Sequence, residues 1–234
     1  MPPMERKNRL LPCQNINATK TVAVTFGFFC GLTGMIAGYF EILQGNIAPG
    51  SIIISIVGPS YSMWTTYSIL DLMETYSAMT IIPNFFITGM VAIMVSFLVI
   101  VWSVVFLHKK HGAIIFLLLS IIQLLVGGGF VIDLAIITCI VANRINKPLT
   151  WWRAHLSIKM QGVLARLWPW SLIAFVMLFI IMLGMTLLGA NNENMSHLLT
   201  IAAAVMFLPL ILMIIGGFAF EIRRQTKSEQ VPTN

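Results

Sequence analysis

The sequence predicts an all-α integral membrane protein, a helical bundle of four long spans plus a broken glycine-rich hairpin, with both termini cytosolic. Three observations predict it. Hydrophobic residues make up 58% of the 234 and charged residues only 9%, where a soluble domain carries about a quarter charged. Several apolar runs reach the roughly 20 residues that a helix needs to cross about 30 Å of hydrocarbon. All 14 Lys and Arg residues fall in short clusters between those runs, as juxtamembrane anchors do. A small soluble fold keeps too much surface in water to hide this much apolar side chain, so lipid is the solvent the composition calls for. The net charge of +6 then carries no sign of nucleic-acid binding, because the basic residues form no continuous stripe.

Taken in order, residues 1–20 form a cytosolic segment with Arg6, Lys7, Arg9 and Lys20. The apolar run that follows is too long for a signal-peptide core and lacks a small-x-small cleavage site, so it reads as a retained span. Four spans are expected at about 21–43, 85–107, 171–189 and 198–220, within one transmembrane domain over 21–222, followed by a cytosolic tail at 223–234. A fifth apolar stretch, 113–141, is too long for one ordinary span and is interrupted by Gly127, Gly128 and Gly129. Consecutive glycines cost roughly 1 kcal/mol each against alanine in a helix and leave it easily broken.

Charge decides how that stretch runs, since Lys and Arg in short loops favour the cytosol. A single crossing would divide the 14 basic residues almost evenly between the two sides. A hairpin turning at the glycines puts all of them on one. The expected arms are 113–126 and 130–142, about 14 residues or 21 Å each. They form either two thin or tilted spans, giving six crossings, or a re-entrant pair buried among four, where irregular backbone is tolerated.

Two connections have character. Segment 44–84 lies outside, has no Lys or Arg, and carries Asp71 and Glu74 with Tyr61, Trp64, Tyr67 and Tyr76, aromatics suited to the membrane–water boundary. Inside, 149–167 places Leu149, Trp152, Leu156, Met160, Val163 and Leu167 on one helical face, flanked by His155, Lys159 and Arg166, with Arg153 intruding. This reads as a basic amphipathic helix whose Trp151, Trp152, Arg153, Lys159 and Arg166 meet the membrane surface and its anionic headgroups.

Candidate chemistry is sparse. Asp133 stands in an apolar run four residues past the glycines. A carboxylate at mid-membrane costs at least about 2.5–3.5 kcal/mol and usually marks a pathway or a paired site. Alternatively the turn reaches the outer interface and Asp133 meets water there. Gln123 on the other arm is its candidate partner, and the set Asp133, Gln123, Gly127, Gly128 and Gly129 is the candidate transport or ion site, by physical analogy with broken transporter helices. Gly27, Gly31, Gly34 and Gly38 share one face of the first span and form a groove for close helix approach, either within the fold or as a homo-oligomer seam. Glu41 ends that helix and is expected to be solvated at the outer interface.

Other chemistry is excluded or weak. His108 and His111 flank Lys109 and Lys110, which disfavours a cation site, and neither metal nor cofactor is expected. Cys13, Cys30 and Cys139 show no disulfide or zinc spacing. The 15 methionines suit adaptable packing. No phosphate-binding loop, metalloprotease helix, nucleophile elbow or dinucleotide fingerprint is present, so no enzyme reading has a motif behind it.

The stretches Met79-Thr-Ile-Ile-Pro-Asn-Phe85, Gly127-Gly-Gly-Phe130 and Arg144-Ile-Asn-Lys-Pro-Leu-Thr-Trp-Trp-Arg153 resemble those of uncharacterised bacterial multi-pass membrane proteins. The similarity extends over most of the chain, including Gly38-Tyr-Phe-Glu-Ile-Leu-Gln-Gly-Asn46. Where such relatives carry a proline-containing turn after the glycines, this chain has Val131-Ile132-Asp133. The resemblance implies a bacterial inner-membrane location and brings no function with it. Two expectations follow: a small transporter or channel-like protein acting at the glycine break, or an accessory membrane protein that binds a partner subunit or lipids through 149–167 without catalysis.

Overall fold

The computed structural model describes residues 17–50, 52–55, 77–129, 132–145, 147–187 and 193–229. Residues 1–16, which include Cys13 and three basic residues of the N-terminal segment, lie outside the described residues. So do 56–76, with Tyr61, Trp64, Tyr67, Asp71, Glu74 and Tyr76, and the Phe130–Val131 link.

Helix α1 (Ala18–Gln44) begins at Asn17, whose side chain accepts from Lys20 N at 2.9 Å, and ends at Gly45 with φ +82. An Asn cap satisfies an orphan N–H, and glycine takes a positive φ that side chains disfavour, its N–H returning to Ile42 O. A short antiparallel ribbon pairs β1 (Ile53–Ser55) with β2 (Ser77–Met79), Ile53 opposite Met79. Helix α2 (Phe85–Val105) is capped by Asn84, which accepts from Ile87 N at 3.1 Å. Then come α3 (Gly112–Leu125), α4 (Ile132–Ala142), α5 (Thr150–His155), α6 (Ile158–Leu187) and α7 (Glu193–Glu229). Among the described residues four helices, α1, α2, α6 and α7, are long and apolar enough to cross a membrane, and α3 and α4 are shorter apolar helices.

Helix α1 is the centre of the bundle. Its glycine face receives α2 antiparallel: Gly27 sits at Ser103, Gly31 at Ser96 and Ile100, and Gly38 at Gly89 and Ala92. Helix α3 runs parallel to α1, Phe116 beside Gly27 and Gln123 beside Gly34. Helix α4 returns alongside, with Cys139 Sγ donating to Ala113 O at 3.2 Å. The opposite flank packs on α6 through an aromatic cluster. Phe26 and Phe175 meet edge-on at 5.3 Å, and Phe29 lies 4.1 Å from Phe179. Such edge-on aromatic pairs contribute about 0.5–1.5 kcal/mol beyond their burial.

The contacts gather the basic residues at one end of the bundle. Val22 of α1 lies beside Gly217 of α7, and Trp168 of α6 closes over the same glycine. Gln225 donates to Lys147 O at 3.3 Å, and Gly162 lies near Arg223. Lys20, Arg144, Lys147, Lys159, Arg166, Arg223 and Arg224 therefore share that end, and the Lys109–Lys110 loop is carried there by the Gly27–Ser103 contact. The outer surface is apolar instead of polar: Met94, Phe97, Leu118, Ile173, Ile180 and Leu208 are all exposed. A patch on that scale is untenable in water and is ordinary against lipid tails.

Three elements differ from the sequence reading. The spans expected at 171–189 and 198–220 begin earlier, as α6 and α7. The amphipathic helix expected over 149–167 is two helices. Leu156 is extended (φ −94, ψ 119), and Ser157 starts a new helix, its hydroxyl accepting from Met160 N at 3.3 Å. A serine hydroxyl is a good N-cap and competes with helix continuation. The apolar stripe is divided accordingly. Leu149 is buried and Trp152 packs 5.3 Å from Phe218, whereas Met160, Val163 and Leu167 are exposed on α6.

A Cβ at Gly89 would fall onto Gly38 O and 2.8 Å from Ile42 N, both backbone, so the helices would have to separate. Overpacking of that kind costs about 1–3 kcal/mol. Gly89→Ala is expected to lower the melting midpoint in detergent, followed by size-exclusion fluorescence after heating, while Gly184→Ala, which meets nothing within 4 Å, leaves it unchanged or slightly raised.

Candidate functional site

The glycine turn is held by backbone pairing to the segment just before α2. Gly127 N donates to Met79 O at 3.0 Å and Ile81 N donates to Leu125 O at 3.2 Å. Gly128 N returns to Gln123 O at 2.8 Å. Gly127 and Gly129 have φ of 91 and 77, conformations that favour glycine over any residue with a Cβ. The turn therefore rises to the end of the bundle where α1 finishes and α2 starts, with its backbone groups satisfied by protein and not by lipid.

What the turn covers is Glu41. This residue is 0% exposed, and among the described residues neither carboxylate oxygen has a hydrogen-bond partner. A Cβ on Gly127 would lie 2.5 Å from Glu41 Oε2 and from Thr88 Cγ2, and closer still to Oε1. Only a glycine fits between them. The hydroxyls nearby are committed elsewhere: Thr88 Oγ1 lies 2.7 Å from Asn84 O and 3.1 Å from Thr80 Oγ1, which itself accepts from Ile82 N at 3.1 Å. The expectation that Glu41 is solvated at the interface is thus corrected: the hairpin reaches the level of Glu41 and shuts water out.

Below Glu41 the interior stays polar. Gln123, 0% exposed, donates through Nε2 to Cys30 O at 3.0 Å. Ser96 Oγ is buried without a partner beside Gly34. Ser120, Ser103 and Thr138 are buried and turn their hydroxyls to carbonyls one turn back in their own helices. Such back-bonding satisfies a hydroxyl in an apolar setting.

The residues singled out in the sequence distribute as follows. Gly127, Gly128, Gly129 and Gln123 come together at the turn. Asp133 is exposed on α4, and the Gln123 amide is engaged with Cys30 O of α1. Gly27, Gly31, Gly34 and Gly38 are filled by α2 and α3 of the same chain. Trp151 is exposed and stacks on His155 at 4.3 Å; Arg153, Lys159 and Arg166 are exposed at the basic end. Among the described residues there is no group of three or more His, Cys, Asp or Glu side chains that could hold a metal ion.

A second buried carboxylate, Glu221, lies at the basic end with 1% exposure. Its Oε1 accepts from Arg224 Nε at 3.0 Å and also from Nη2, while Oε2 has no partner. Glu221 is thus a compensated acid, and Glu41 is not. The chain matches no family model, no curated protein and no solved structure, so the reading of these groups rests on their chemistry.

The contact between Gly127 and Glu41 predicts energetic coupling. Gly127→Ala adds the left-handed penalty of about 1–2 kcal/mol to the collision with the carboxylate. In a double-mutant cycle read by melting midpoint, Gly127→Ala is expected to cost less in a Glu41→Ala background than in the wild type. Additive effects would mean that the two do not touch.

Proposed function

We propose that this chain is a small transporter or channel-like protein of the cytoplasmic membrane, with both ends cytosolic, whose site is the contact where Glu41 meets the Gly127–Gly129 turn. One observation carries the reading: a fully buried carboxylate with no partner for either oxygen, set against a helix break. An ionisable group held inside a membrane is costly and marks a substrate or ion path by default. Broken helices that expose backbone groups next to such a residue are how secondary transporters bind their ions. The polar interior of Gln123, Ser96 and Ser120 extends the path inward from Glu41, and Asp133 flanks the same turn. The gathering of the described basic residues at one end supports a cytosolic assignment for that end. The accessory reading has less support, because Trp152 already packs on Phe218 within the chain.

In proteoliposomes loaded with ion-reporting dyes, wild-type protein is expected to dissipate an imposed proton, sodium or potassium gradient faster than protein-free vesicles. Glu41→Gln, still folded by size exclusion, is expected to slow that flux at least tenfold. Rates equal to those of empty vesicles for all three ions would overturn the reading.

Orientation is checked separately. With Cys13, Cys30 and Cys139 replaced, Ala48→Cys in intact cells is expected to react with a membrane-impermeant maleimide, and Ser157→Cys only after lysis. The reverse pattern would invert the proposed sidedness.

A further inference from the structure

We propose that the ligand of Glu41 is a proton, exchanged with water at the end of the bundle where the glycine turn lies, and that displacement of Gly127 admits it. This deepens the site proposed above and rests on that reading only for its link to transport.

Among the described residues, the groups set against Glu41 carry no positive charge. Gly127 and Thr88 lie on its carboxylate, with Thr80 bonded to Thr88 behind them; of the neighbouring hairpin arms, α3 has Gln123 held at Cys30 O and α4 carries Asp133, which is exposed. None of these is cationic. The described basic side chains sit at the other end: Val22, which marks that end, is 19 residues from Glu41, about 29 Å along α1. A buried carboxylate without water, donor or cation costs several kcal/mol as an anion. Neutralisation requires either a metal cation or a proton.

The geometry favours the proton. A hard metal cation asks for six or more oxygens. Glu41 offers two, the Thr80 and Thr88 hydroxyls are directed at each other and at backbone, and Gly127 leaves no room for so much as a methyl group against the carboxylate. A proton needs only one oxygen and no added volume.

The same tight contact makes the turn the gate. Water reaches Oε1 and Oε2 only when Gly127 moves, and the turn is tied to the segment before α2 by the Gly127–Met79 and Ile81–Leu125 hydrogen bonds. The step balances simply: a hydronium ion gives its proton to a carboxylate oxygen, an O–H bond forms on Glu41, and a neutral water leaves. No oxidant or co-reactant is involved.

The test is infrared spectroscopy of the full chain in lipid nanodiscs. Wild type is expected to show a protonated-carboxyl C=O band that is lost in Glu41→Gln and shifted in Glu41→Asp. The Asp variant decides the matter if the Gln variant does not fold. Transfer to heavy water is expected to shift the wild-type band slowly, and at least tenfold faster in Ile81→Pro, which lacks the N–H that ties the turn. Identical carboxyl bands in wild type and both Glu41 variants would overturn the proposal. So would loss of the band on adding sodium, potassium or calcium at constant pH, which would make the ligand a metal cation. An unchanged exchange rate in Ile81→Pro would overturn the gate. A Glu41 band without flux retires the transport reading and leaves the proton site, whereas flux without the band retires only the proton site.

Discussion

The close approach of α1 and α2 is the contact on which the rest of the molecule depends. Between two helices in lipid there is no hydrophobic drive to associate, because the tails are as apolar as leucine; packing and polar contact must supply the affinity. The glycines of α1 remove the side chains that would hold α2 away, and Gly89 does the same from the other side. At Gly31, a Cβ would sit 2.8 Å from Ser96 O, and at Gly38, 2.7 Å from Gly89 O. Backbone lies on backbone at Gly31 and at the Gly38–Gly89 crossing. Dispersion gains are small per atom pair, but many pairs form at once.

That approach determines which side chains face inward. With the glycines occupied, the interior residues of α2 must be small, and Thr88, Ala92, Ser96, Val99 and Ser103 are all buried against α1. Small polar residues fit where leucine cannot, so the seam is both tight and polar. The hairpin then docks into the remaining cleft. Its arms are shorter than the four long apolar helices, and its turn finds partners in the 79–81 backbone. The irregular backbone of the turn is satisfied by pairing within the protein. Closing the turn over the end of α1 traps Glu41.

Much of this was legible in the sequence. Composition and run lengths gave the helical membrane bundle and its four long apolar helices, and spacing gave the glycine face. The position of Glu41 was missed although its signal was present. The series 27, 31, 34, 38 continues with the same alternation of four and three to 41, so Glu41 shares the glycine face. Proximity to the helix end suggested water instead, since nothing local says that a hairpin 86 positions later rises to cover it. Asp133 drew attention for the opposite reason. Its run is apolar, but α4 turns Ala135, Thr138 and Val141 inward, and position 133 lies off that face. The break at Ser157 is a local competition between capping and helix continuation that an apolar stripe does not reveal.

The two buried acids separate structure from exchange. Glu221 lies three residues before Arg224 and gives that guanidinium its Oε1, at the end of the bundle where cations are abundant. Its charge is compensated locally and has a role in holding α7 without any further ligand. Among the described residues Glu41 has no such neighbour. If filling space were its only role, an apolar side chain of the same volume would serve at lower cost, because replacing buried charge by packed hydrocarbon is often neutral or stabilising. A glycine with positive φ is also an expensive way to cover a side chain unless the cover has to fit a carboxylate closely. The two costs fall at one place, and under the proposed reading binding and release of a small cationic ligand gives both a use.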